Sequence, residues 1–187
     1  MAADTTTSRA PDARFLVAHP AHFIALGFGS GLAPVAPGTF GTVAALGLYA
    51  LLAPLLPPLA IALLAIPLFF VGIWACEVTG RHLGAMDHGA MVWDEIVAFL
   101  PLCAFSIMVS DTVSGAAKTM PGTAVWVGAA FALFRLFDIW KPFPIRHFER
   151  RLKGGFGVMF DDLVAAAYAY VVLMVAAIFL LKRSIAP

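Results

Sequence analysis

Six of the chain's 11 acidic residues fall in four short segments where carboxylates could work on a phosphoryl group. Asp87 is followed by His88, and Asp94 by Glu95. Asp138 sits three residues from both Arg135 and Lys141, and Asp161 and Asp162 close a glycine-rich stretch, 154–160. Carboxylates are hard oxygen ligands of the kind that suits Mg²⁺, an ion that keeps several waters and bridges to phosphates. Arg135, Lys141 and Arg146 are cations able to meet phosphate oxygens. A glycine-rich passage, 27–31 and 36–42, leads into an apolar run, where exposed amides can cradle an anion. Within it Thr39 or Thr42 could cap the helix and offer a hydroxyl to phosphate. Each feature also has a plainer reading. Asp94, Glu95, Asp161 and Asp162 could be helix caps, and Arg135, Asp138 and Lys141 a salt-bridge stripe on one helical face. Caps do not account for acidic pairs recurring before two apolar runs. Ionisable groups at membrane depth are costly and usually face a bundle interior or an aqueous cavity. Among the histidines only His88, beside Asp87, has an acid–base role in view.

The elements that must position these groups are apolar. Of 187 residues 61% are hydrophobic and 12% charged, and the mean hydropathy is +0.92. A soluble domain carries about twice that charged fraction. Five apolar stretches, 43–56, 59–76, 96–109, 123–137 and 163–181, predict an all-α fold: a compact helical bundle, polytopic in the membrane, with about five apolar helices. The last stretch is long enough to cross a hydrocarbon core of ~30 Å; 43–56, 96–109 and 123–137 need help from their flanks. Pro57-Pro58 and the segment 110–122 mark turns. Residues 1–22 read as a disordered tail and 23–187 as one helical membrane domain.

Threading the stretches alternately through a bilayer puts 27–42, 77–95 and 138–162 on one side with the N-terminus. Nine of the 12 basic residues then share that side, leaving Lys118, Lys182 and Arg183 opposite. The positive-inside rule places it in the cytoplasm. All acidic residues but Asp111 gather there too, which orientation does not require. A net charge of +1 argues against a nucleic-acid partner. Cys76 and Cys103 lie in apolar runs and suggest neither a disulfide framework nor a zinc site.

The motifs, in order, resemble those of bacterial phosphatidylglycerophosphatase A: Gly29-Ser30-Gly31 with Ala36 to Thr42, Asp87-His88, Trp93-Asp94-Glu95-Ile96, Phe134 to Asp138 with Lys141-Pro142-Phe143-Pro144, and Gly157 to Asp162. The resemblance spans residues 23 to 181, and its main departure is Ala98, where the family usually has glycine. It implies a Mg²⁺-dependent phosphatase of the bacterial inner (cytoplasmic) membrane with its site facing the cytoplasm, converting phosphatidylglycerophosphate to phosphatidylglycerol and inorganic phosphate. On that reading Asp94, Glu95, Asp138, Asp161 and Asp162 hold the metal, and one of them or Asp87 activates water. Lys141 and Arg135 meet phosphate, with Thr39, Thr42, Arg146 and His88 as further substrate contacts. No activated serine or cysteine nucleophile is evident. The competing reading is a cation transporter or channel lined by the same acids; acids at one face, not spread through the span, weigh against it. The paired Asp-x3-Asp of cytidine-nucleotide phosphotransferases and the signatures of histidine lipid phosphatases are absent.

Overall fold

The computed structural model describes residues 10–116 and 122–185. Chain order is α1 (Ala13–Ala18), α2 (Pro20–Ala25), a 3-10 turn (Gly27–Leu32), α3 (Pro37–Leu52), α4 (Pro58–Leu83), α5 (Trp93–Ala116), α6 (Thr123–Trp140), α7 (Ile145–Arg151) and α8 (Gly154–Ile185). No strand occurs among the described residues. Proline opens three of the helices, α2, α3 and α4, where a missing N–H is no loss. Gly84, with φ 72°, ends α4 in the left-handed conformation a C-terminal glycine permits.

Four helices, α4, α5, α6 and α8, are long and apolar enough to cross a membrane. α5 is the central one: 61% of its spanning window is buried, against 28% in α4 and α8 and 17% in α6. It packs on α3, α4, α6 and α8, while α1, α2 and the 3-10 turn lie at the end where α4 finishes and α5 begins. The core is built from Ile96, Phe99, Leu100, Phe134 and many alanines, with Phe131, Phe134 and Phe99 in ring contact. α4 and α8 come so close at Gly155 that a Cβ there would collide with the Ile73 carbonyl. Glu77 of α4 adds a latch by accepting the Gly155 amide at 2.7 Å, while Arg81 donates to the same carboxylate. The far ends of α5 and α6 are tied by the Ser110 and Thr123 hydroxyls, 3.0 Å apart.

Several expectations change. The first apolar stretch forms a helix of only 16 residues, about 24 Å at 1.5 Å per residue, shorter than a full span. The turn expected over 110–122 is narrower, because α5 continues to Ala116; residues 117–121 lie outside the described residues. The tail expected over 1–22 is helical from Ala13, held by an Asp12 side chain accepting from the Phe15 amide and by burial of Ala21 and His22. Residues 1–9 lie outside the described ones. α8 begins at Gly154, so Asp161 and Asp162 stand about two turns inside it and cap nothing. Neither threonine caps α3: Ala36 precedes it, in the left-handed region at φ 50°.

Candidate active site: a buried carboxylate seat

Asp94 and Glu95 occupy the first turn of α5, where acidic side chains favour the positive end of the helix dipole. Asp162 reaches them from α8. One oxygen from each of Asp94, Glu95 and Asp162 lies within 4.8 Å of the others, and all three residues are buried. Glu95 Oε2 and Asp162 Oδ2 are enclosed and have no hydrogen-bond partner in the protein. Such an arrangement is unfavourable by several kcal/mol unless a cation or proton compensates it.

α6 brings the only cation of the seat among the described residues. Arg135 Nη1 lies 2.7 Å from Asp138 Oδ2 and 3.5 Å from Glu95 Oε1, and its Nε is buried without a partner. Asp138 in turn stands beside Asp162 and Glu95. α3 closes the seat from above. Its first turn sits so tightly that a Cβ on Gly38 would strike Glu95 Oε1 and both terminal nitrogens of Arg135. Only glycine lets this helix start approach.

Asp161, next in sequence to Asp162, points about 100° away around α8 and has a different partner. Lys141 leaves the end of α6 in the left-handed conformation, φ 45°. Its Nζ donates to Asp161 Oδ2 at 2.8 Å and to Glu149 Oε1 at 3.0 Å. Burial alone would lower the pKa of Lys141, but the hydrogen bonds and charges of Asp161 and Glu149 outweigh it and hold the ammonium above the ordinary lysine range. The three-residue spacing of Arg135, Asp138 and Lys141 therefore yields one ion pair, Arg135–Asp138, while Lys141 turns to α8 because the helix ends before it.

The remaining candidates are not members of the buried trio. Asp87 is exposed and shares a cavity of about 460 Å³ with Glu149, Lys153 and Asp161. Arg146 is exposed, donates to the Trp140 carbonyl at 3.3 Å, and lines a second cavity of about 510 Å³ with Lys141, Phe143 and His147. Thr42 is fully buried and gives its hydroxyl to the Gly38 carbonyl, one turn back in its own helix. Thr39 is half-buried in the first turn of α3. His88 Nδ1 accepts the Ala90 amide, so this ring shapes its own loop.

Sequence reasoning missed Glu149, hidden in the charged run 149–153, and Glu77, the latch on α8. Glu77 carried a usable signal, since a lone acid at the end of a long apolar stretch calls for a partner. Another missed pair lies outside the seat. His22 Nδ1 donates to the Phe15 carbonyl, and its Nε2 is 2.7 Å from His82 Nδ1, tying α2 to the end of α4. Burial lowers the pKa of His22, with His82 and His19 pressing the same way.

Buried acids and an arginine converging at one end of apolar helices form a donor set compatible with enzymes that handle phosphoryl groups at a lipid surface. Residues 23–177 match the family model for phosphatidylglycerophosphatase A, and the chain belongs to that family of phosphatases. It is 40% identical over 167 residues to the phosphatidylglycerophosphatase A of Haemophilus influenzae, covering 89% of this chain and 94% of the relative. The Escherichia coli protein of the same name is 38% identical over 152 residues, 81% of this chain and 80% of the relative. A Bacteroides thetaiotaomicron relative, provisionally named a phosphatidylinositol-3-phosphatase, is 39% identical over 161 residues, 82% of this chain and 91% of its own. No solved structure gives a significant match.

Proposed function

We propose that this protein hydrolyses the terminal phosphomonoester of phosphatidylglycerophosphate to phosphatidylglycerol and inorganic phosphate, at the cytoplasmic face of a bacterial inner membrane. The names of the Haemophilus and Escherichia relatives support the substrate. Arg81, Lys141, Arg146, Arg151 and Lys153 at the seat's end, against Lys182 and Arg183 at the other, support the orientation. The observation that carries the proposal is the trio Asp94, Glu95 and Asp162, buried beside Arg135 with two oxygens unpartnered.

The donor set fits Mg²⁺: hard carboxylate oxygens that reach one point, short of protein hydrogen bonds. Asp94, Glu95 and Asp162 would hold the ion, with Asp138 alongside; Asp161, expected from the sequence as a fifth ligand, is instead taken up by Lys141. When bound, it supplies Lewis-acid stabilisation of charge on the phosphoryl oxygens. The chain's own groups do the rest. Arg135 is steadied by Asp138 and Glu95 and directs its donors at the phosphate. Asp138, a hydrogen-bonded carboxylate, orients the attacking water, takes its proton as the new P–O bond forms, and returns it to the glycerol oxygen as the old P–O bond breaks. Lys141 keeps Asp161 fixed and charge-balanced. The start of α3, brought in by Gly38, shuts the seat on its outer side.

The test is a head-group panel: phosphate release from phosphatidylglycerophosphate, phosphatidylinositol 3-phosphate and phosphatidic acid by wild type and Asp138→Asn. Preference for the first lipid, lost in the variant, is expected. Equal turnover of the variant removes Asp138 from its role, and preference for the inositol lipid overturns the substrate.

A further inference from the structure

Beneath the seat runs an apolar groove on the membrane-facing side of the bundle. Two cavities of about 360 and 420 Å³ share Ala62, Pro101 and Leu163 and so form one trough between α4 and α8, floored by α5. The trough exists because small side chains line it: Ala65, Ala98 and Ala166 are buried at its floor, while Ile66, Leu163 and Tyr170 stand exposed at its rims. Its lining residues are apolar apart from the Tyr170 hydroxyl.

The trough is in register with the seat. On α5, Ala98, Pro101, Phe105 and Met108 follow Asp94 by four, seven, eleven and fourteen residues, the spacing of a single helical face. On α8, Leu163 and Ala166 come one and four residues after Asp162. The trough therefore starts within a turn of the two carboxylates and descends along the face that bears Asp94. From Ala98 to Met108 it drops about 15 Å, half of a hydrocarbon core.

We propose that this groove holds an acyl chain of the lipid whose head group occupies the seat, which rests on the phosphatase reading above. A phosphomonoester lipid with its phosphate at Asp94 and Asp162 must send its chains toward the bilayer centre. The groove is an apolar channel of the right direction and depth beginning at those residues. Its dimensions make chain length and bulk a determinant of which lipids are hydrolysed.

Filling the groove tests this. Both Ala62, half-buried against the core, and Ala167, exposed, line the trough, so Ala62→Phe and Ala167→Phe add bulk to it, the second from its exposed side. Each is expected to raise KM for dioleoyl phosphatidylglycerophosphate in detergent micelles about tenfold, equivalent to about 1.4 kcal/mol of binding. Turnover of the dihexanoyl lipid, too short to fill the trough, stays as in wild type, and Ala132→Phe on the exposed face of α6 changes neither. An equal effect on both chain lengths, or none on either, overturns the groove proposal. If wild type hydrolyses neither lipid, the phosphatase reading itself has failed. Wild type offers a second readout that no variant's folding affects. A phosphatidylglycerophosphate carrying a carbene precursor at mid-chain should label α5 and α8 around Phe105 and Tyr170, and labelling confined to α3 or α6 contradicts the assignment.

Discussion

Asp161 and Asp162 are neighbours in sequence with opposite surroundings. Asp161 meets Lys141, which also holds Glu149, so a cation supplied by the chain compensates it. Asp162 faces Asp94, Glu95 and Asp138, with Arg135 as the one guanidinium among four carboxylates, and keeps an oxygen without a partner. One step along a helix turns a side chain by about 100°, enough to separate a cluster whose charge Lys141 balances from one in which four carboxylates face a single guanidinium. On the proposed reading the first cluster serves stability and the second chemistry.

The comparison is broken most severely by Asp162→Asn or Glu95→Gln. Either should lower phosphate release by roughly 10³-fold or more, the scale for losing one member of a cooperating catalytic set, while thermal unfolding in detergent changes little or shifts upward because a buried charge has gone. A variant as active as wild type would assign that residue to structure.

Gly38→Ala comes next. A methyl group cannot fit between Glu95 and Arg135, so kcat should fall about 10- to 100-fold through displacement of groups that orient the site. Unchanged kcat would mean that the approach of α3 is incidental.

Lys141→Met acts on the other cluster and on stability first. It leaves Asp161 and Glu149 without their cation and should destabilise by about 1.5–3 kcal/mol, the range for hydrogen bonds to charged groups. Adding Asp161→Asn should recover much of the loss, which a double-mutant cycle would show. The pH dependence has a definite sign. Because the folded pKa of Lys141 is raised above its ordinary 10.5, the pair's contribution is complete below that value and declines only as pH rises through the higher folded value. The stability gap between wild type and Lys141→Met should stay constant from about pH 7 to 9.5. A gap that closes within that window would contradict the pairing.

The smallest effect is expected for Glu77→Ala, which removes the acceptor of the Gly155 amide. The loss should be about 1 kcal/mol, as for a helix cap, with kcat little altered.

Much of this arrangement was legible in the residues. Long apolar runs announced membrane helices, and the acidic pairs at 94–95 and 161–162 announced that carboxylates gather at one end of the bundle. What escaped was direction. Apolar residues gave no mark of where α8 begins, so Gly154 to Phe160 read as an approach loop and the two aspartates as its end. The left-handed turn at Lys141 broke a three-residue periodicity that spacing alone projected onward, and Glu149 was masked by the basic residues around it. Glycines were visible as such, yet only the packed helices show which one, Gly38, is confined by the site.

The central claim is that the seat of Asp94, Glu95 and Asp162 works through a divalent cation the chain does not itself supply. Its most direct test is phosphate release from phosphatidylglycerophosphate by the purified protein in EDTA, followed by addition of Mg²⁺. The account predicts no turnover in EDTA and full recovery with Mg²⁺; full turnover in EDTA would contradict it.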